Sequence, residues 1–134
     1  MPGKAFLDSN ILIYAVGEDD ARRALADSLI VVGAVVSAHV LAETAAVLGR
    51  KFRLPAASVE RILVSIAARV HCEPVTAETV LAAVRLAARL GYSHDDSQII
   101  AAALAAGCEV LYSEDMQHGQ QIDGTLMIVN PFAA

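Results

Sequence analysis

Two rhythms alternate along the chain. Short apolar runs at residues 4–8 ("KAFLD"), 34–37 ("AVVS"), 70–75 ("VHCEPV"), 108–113 ("CEVLYS") and 125–130 ("TLMIVN") have the length and composition of buried strands. Between them, apolar side chains recur every three or four residues, the period of a helix with one covered face. This spacing predicts helices over 9–16, 18–30, 38–52, 56–70, 76–91 and 96–107. The punctuation agrees: Pro55 opens the fourth helix, Thr76 caps the fifth, Gly91 stops it and Pro131 ends the last strand. The segment 114–124, "EDMQHGQQIDG", reads as a polar turn.

Strands that alternate with helices imply an α/β domain: a mostly parallel central sheet of about five strands with helices on both faces. No repeat, linker or break in composition interrupts the pattern, so residues 1–134 are expected to form one domain. In such sheets ligands gather beyond the carboxyl ends of the strands, near the point where strand order reverses. Acids at those ends are where chemistry is to be sought.

Composition narrows the classes. An apolar content of 56% excludes a disordered chain, and 4% aromatics with no Trp argue against a base-stacking platform for single strands. A net charge of −5 speaks against coating nucleic acid through bulk charge. It leaves nucleic acid open as a substrate, because carboxylates clustered around a cation themselves lower the net charge. Neither GxGxxG nor GxxxxGK[ST] occurs, which removes most of the weight from dinucleotide-binding and P-loop versions of the fold. Arg50, Lys51 and Arg53 are the one basic group placed to face phosphate, although a solvated helix end explains them equally well. The longest uncharged stretch, 28–42, is too short to span a bilayer. Without a signal peptide, Cys72 and Cys108 read as reduced core thiols of a cytoplasmic protein.

Each acid at a strand end has an ordinary explanation. Asp8 closes the first strand ahead of Ser9 and Asn10, where a turn residue suffices. Glu43 lies on the margin of the stripe formed by Val40, Leu41, Thr44, Val47 and Leu48, where a boundary Glu snorkels to water. In "YSHDDSQIIAAALAAG" (92–107), Ile99, Ile100, Ala103 and Leu104 define the covered face. Asp96 projects from the middle of that face and Asp95 from its edge. A carboxylate aimed into a core must be neutralised, hydrogen-bonded or bound to a cation. Asp96 is therefore the chemical candidate, and Asp95 a capping or supporting residue. Asp115 follows the fourth strand in "YSED", two residues after Ser113. Together these acids, converging on one sheet edge, repel one another unless a divalent cation is shared.

The order "FLDSN", Glu43, "HDDSQIIAAA" and "VLYSED" resembles the PIN-domain ribonucleases, in particular the toxins of VapC-type toxin–antitoxin pairs. The resemblance runs the length of the chain, and "EVLYSEDMQHGQQIDGTLMIVNPF" is similar to one branch of those toxins. It implies a PIN-like domain with Asp8, Glu43, Asp96 and Asp115 as catalytic, metal-binding acids and Asn10 and Ser113 as supporting residues. It further implies Mg²⁺ or Mn²⁺ as cofactor, RNA as substrate and a small antitoxin as partner. The family often carries an aromatic residue before the third acid, where this chain has Asp95; the apolar stripe selects Asp96. A homodimer is the expected assembly. Surplus apolar side chains on helices 20–32 (Leu25, Leu29, Ile30, Val31) and 56–68 (Ile62, Leu63, Val64, Ile66) are the expected docking surface for the antitoxin. The rival expectations are a non-catalytic module of the same fold and a PIN nuclease of RNA processing without an antitoxin. A phospho-acceptor domain would want a Lys after a late strand, and none follows Lys51.

Overall fold

The computed structural model of the chain describes residues 4–31 and 33–133. The ends of the 1–134 span and position 32 of the 20–32 helix lie outside the described residues. The strands are β1 (Ala5–Leu7), β2 (Val35–Ser37), β3 (His71–Glu73), β4 (Val110–Tyr112), β5 (Gln121–Ile122) and β6 (Leu126–Val129). The helices are α1 (Ser9–Ala15), α2 (Asp20–Leu29), α3 (Ala38–Arg50), α4 (Ala56–Ala67), α5 (Ala77–Leu90) and α6 (His94–Ala105). The protein is of the α/β class, with a single sheet in the order β3-β2-β1-β4-β6-β5.

All neighbours in that sheet pair in parallel except β5, which runs antiparallel to β6. The sixth strand corrects the reading of 114–124 as turn alone. Ile122 is buried, and Asp123 and Gly124 both adopt positive φ (53° and 70°), the geometry of a tight hairpin that returns the chain into β6. Arg89 of α5 holds the tip of this hairpin through two hydrogen bonds to Asp123, at 2.8 and 3.3 Å.

From β1 the chain steps to β2 and then to β3, and β4 returns to the other side of β1. Right-handed crossovers then place α1–α2 and α3–α4 on one face and α5–α6 on the opposite one. The reversal falls between β1 and β4, whose carboxyl ends run directly into Asp8 and Ser113. Side chains of both layers close on the sheet. Phe6, Leu7, Leu111 and Ile128 from the strands, Ile11 and Leu12 from α1, and Ile99 and Ile100 from α6 are fully buried. Each such aliphatic side chain contributes about 1.5–3 kcal/mol by leaving water. The elements that carry the acids are thus anchored by the core itself.

The apolar surplus on α2 and α4 is smaller than its sequence suggests. Ile30 and Ile66 are buried, and Leu29 and Ile62 pack against the core. Leu25, Val31 and Val64 stay exposed, as do Leu81 and Val84 on α5. Cys108 is buried and Cys72 half-buried, both as free thiols. Among the described residues no helix is long and apolar enough to cross a membrane.

Candidate metal centre

Asp8 sits at the centre of the carboxyl edge. It is the N-cap of α1, with the Ser9 amide donating to Oδ1 at 2.6 Å. Ser113 Oγ donates to Oδ2 at 2.7 Å and Asn10 Nδ2 to the same oxygen at 3.3 Å. Only 2% of the residue is exposed. Burial pushes its carboxyl from 3.8 up to about 6, against the pull of Ser113 and the Ser9 amide; the charges of Asp96 and Asp115 push in the same direction as burial. The turn explanation for Asp8 holds, since it does cap a helix. It does not account for the neighbouring negative charge.

Asp115 is exposed, and its backbone N–H donates to Ser113 Oγ at 3.2 Å. Asn10 Nδ2 donates both to Asp8 and, at 3.2 Å, to Asp115 Oδ2, so one amide bridges the acids that follow β1 and β4. The Glu114 amide donates in turn to Asn10 Oδ1 at 3.2 Å.

On α6, Ser93 is the N-cap, accepting from the Asp96 amide at 3.1 Å. Ser93 therefore supplies the side-chain cap, one of the two roles left open for Asp95. The helix begins at His94, two residues earlier than the pattern alone places it. Asp96 is half-buried; burial first, and then Asp115 and Asp95, raise its pKa while Ser93 lowers it. Asp95 is exposed and turns toward α3. Glu43, on α3, is half-buried. Burial, then the charges of Asp8 and Asp95, push it from 4.5 up to about 7, with Asp96 adding to the rise and Ser9 opposing it.

One residue at this edge was not singled out by the sequence reading. His39 Nε2 lies 3.5 Å from Asp95 Oδ1 and 3.7 Å from Glu43 Oε2. One ligand atom each from His39, Glu43 and Asp95 fall within 4.8 Å of one another. Both His39 Nε2 and Glu43 Oε1 are buried without a hydrogen-bond partner among the described residues. The signal was present: His39 and Glu43 are four apart on one helix and share a face.

The carboxyl edge thus gathers acids from the ends of β1 and β4, from α3 and from α6. A model of the PIN domain family matches residues 5–120.

The chain belongs to the PIN-domain family.

Solved structures similar to this PIN domain are VapC toxins and toxin–antitoxin complexes. Mycobacterium tuberculosis VapC20, a toxin that cleaves the sarcin–ricin loop, is 27% identical with a TM-score of 0.65, over 84% of this chain and 90% of that one. A toxin–antitoxin complex from Klebsiella pneumoniae contains a chain 20% identical, TM-score 0.72, over 98% of this chain and 100% of its own. VapBC2 of Rickettsia felis, bound to a DNA fragment from its promoter, gives 19% identity and a TM-score of 0.67, over 92% and 96%. No curated protein sequence matches the chain.

A divalent cation fits the residues of this PIN domain. The donors are carboxylate oxygens, suited to Mg²⁺ or Mn²⁺. Three of the acids have raised pKa values, chiefly through burial and then through neighbouring acids, and Glu43 Oε1 is buried without a hydrogen-bond partner among the described residues. Arg50, Lys51 and Arg53 are exposed at the far end of α3. They lie roughly 10 Å of helix rise beyond Glu43, away from the acids, so the structure does not bring them to the centre.

Proposed function

We propose that this PIN domain is a divalent-metal-dependent endoribonuclease and the toxin of a toxin–antitoxin pair. The observation that carries the reading is the convergence of Asp8, Glu43, Asp96 and Asp115 on the carboxyl edge at the strand-order reversal, with Asp8 near 6 and Glu43 near 7. A non-catalytic module has no use for several buried or half-buried carboxylates gathered at one edge.

Asp8 and Asp96 would hold Mg²⁺ or Mn²⁺, with Asp115, Ser113 and Asn10 around them. Bound there, the cation supplies charge neutralisation at the scissile phosphate and lowers the pKa of an attacking water. The Asp8 carboxylate accepts from four donors, the Ser9 amide and hydroxyl on Oδ1 and Asn10 and Ser113 on Oδ2, which hold its orientation at the edge. Glu43, poised near neutrality, orients the attacking water and accepts its proton. Asp95 lies beside Glu43 and His39 at the rim of this set, and we assign it a supporting role there. Arg50, Lys51 and Arg53 would meet phosphates distant from the cleaved bond.

The partner is a small antitoxin and the assembly a homodimer, acting in the cytoplasm. The complexes among the structural relatives support the first of these. The test is expression in a bacterial host. The wild-type chain is expected to arrest growth, and Asp8→Asn is expected not to. Co-expression with the reading frame immediately upstream should relieve the arrest and yield a co-purifying complex. Harmless expression of the wild-type chain with no recovered partner would reject the toxin assignment.

A further inference from the structure

We infer that Arg22, Tyr14 and Phe132 form a clamp on Glu114 that positions the carboxylate of Asp115. The inference rests on the proposed function only for its cleavage readout. The Arg22 guanidinium carbon lies 5.0 Å from the centre of the Tyr14 ring and 5.4 Å from that of Phe132. The two rings meet at 63° with centroids 4.7 Å apart. Arg22 Nη1 donates to the Tyr14 hydroxyl at 2.7 Å and to Glu114 Oε1 at 3.4 Å. The neighbouring Glu114 carboxylate raises the pKa of the Tyr14 hydroxyl, and burial adds to the rise. Phe132 is pinned by its own N–H, which donates to Asn130 Oδ1 at 2.9 Å. The end of α1 and the segment after β6 therefore converge on the Arg22 guanidinium, which reaches Glu114.

That glutamate stands between Ser113 and Asp115. Its side chain is held by Arg22 and its backbone N–H by Asn10, the same amide that reaches Asp8 and Asp115. With both ends fixed, the peptide carrying Asp115 has little freedom to rotate. Asp115 itself is exposed, and its ties among the described residues run to the same group: Oδ2 accepts from Asn10 Nδ2 and the N–H donates to Ser113 Oγ, both at 3.2 Å. Glu114 Oε2 is buried without a hydrogen-bond partner among the described residues, so the charge that faces this carboxylate there is that of Arg22. A half-exposed ion pair is worth little by itself; stacking on two rings is what fixes the guanidinium plane. The next residue on α2 provides the contrast. Arg23 turns away, donating to the Gly17 carbonyl at 3.1 Å and pairing with Asp20.

The experiment compares wild type, Arg22→Gln, Arg22→Lys, Tyr14→Phe and Arg23→Gln by two readouts. The first is amide hydrogen exchange at residues 114 and 115 in metal-free protein. The second is the Mn²⁺ concentration for half-maximal RNA cleavage, set against the rate at saturating Mn²⁺. Arg22→Gln should speed exchange at Glu114 and Asp115 without changing that of β1. It should also raise the half-maximal Mn²⁺ about tenfold, as loss of an outer support of a metal ligand does, and leave the saturating rate near wild type. Arg22→Lys keeps the charge but lacks the planar fork, and should behave like Arg22→Gln. Tyr14→Phe, which preserves the ring, should shift both readouts in the same direction by less. Arg23→Gln should shift neither. Wild-type behaviour of Arg22→Gln, or full recovery in Arg22→Lys, would overturn the clamp. If the wild type neither binds Mn²⁺ nor cleaves RNA, the proposed function fails while the exchange readout still decides the clamp.

Discussion

The Ser113 hydroxyl donates to Asp8 Oδ2 at 2.7 Å, joining residues 105 positions apart in sequence. It ties the ends of β1 and β4 together across the reversal of strand order, and both residues are buried. Ser113→Ala leaves a buried carboxylate short of a donor. The expected loss of stability at pH 8 is about 1.5–3 kcal/mol, the worth of a hydrogen bond to a charged group. At pH 5, where the Asp8 carboxyl is largely protonated, the loss should be smaller. Urea unfolding of both proteins at the two pH values checks this; equal losses would mean that Ser113 acts through packing alone.

The raised acids fix the sign of the pH dependence. Asp8 moves from 3.8 to about 6 and Glu43 from 4.5 to about 7 on folding, in both cases chiefly through burial. Between the ordinary and the raised values the folded chain binds more protons than the unfolded one. Its metal-free stability therefore falls as pH rises from about 4 to about 7, and levels off above. The share of Asp8 is on the order of 3 kcal/mol. In EDTA the Tm should be higher at pH 5 than at pH 8, and the difference should narrow in Asp8→Asn. A Tm that rises across this interval would contradict the crowded, uncompensated cluster.

Cation binding should reverse that loss. A ligand that binds only the folded state adds about 2.7 kcal/mol at a hundredfold excess over its Kd. At pH 8, millimolar Mg²⁺ or Mn²⁺ is expected to raise the Tm by several degrees, and Asp8→Asn to abolish most of the shift. A melting curve indifferent to either metal would remove the cation site and favour the non-catalytic module.

Asp95 and Asp96 are adjacent, yet they face different neighbours. Asp96 is half-buried and feels Asp115, whereas the exposed Asp95 faces His39. Asp96→Asn is expected to reduce RNA cleavage to background, and Asp95→Asn to retain most of it. The metal-free Tm of Asp96→Asn should not fall, because a neutral side chain relieves repulsion in the cluster. Loss of activity in the Asp95 variant with activity kept in the Asp96 variant would invert the assignment.

Much of this arrangement was legible before any coordinates. The class followed from apolar runs alternating with helical stripes, because a strand covered on both faces needs an unbroken apolar run such as that around Phe6 and Leu7. Helix periodicity set Asp96 apart from Asp95, and the two do differ in burial, Asp96 being half-buried and Asp95 exposed. Hidden from the pattern was β5, whose two residues are too few to show a period, although the Asp123-Gly124 pair carried its turn signal. Asp95 was left as a capping or supporting residue of α6, because two acids at a helix mouth satisfy the dipole as readily as a serine does. Arg22 was given no role by the sequence pattern. Its partners Tyr14, Glu114 and Phe132 are brought together by tertiary folding alone, which no local spacing records. The reach of the α2 and α4 apolar surface was overestimated for the same reason: Ile30 and Ile66 turn into the core.

The central claim is that these acids hold a divalent cation and that the occupied centre cleaves RNA. The most direct measurement titrates Mn²⁺ into EDTA-treated, repurified protein, following RNA cleavage and thermal stabilisation in parallel. The two curves should rise together from zero, and both should collapse in Asp8→Asn. Cleavage that persists undiminished in EDTA, or in Asp8→Asn at saturating Mn²⁺, would contradict the account.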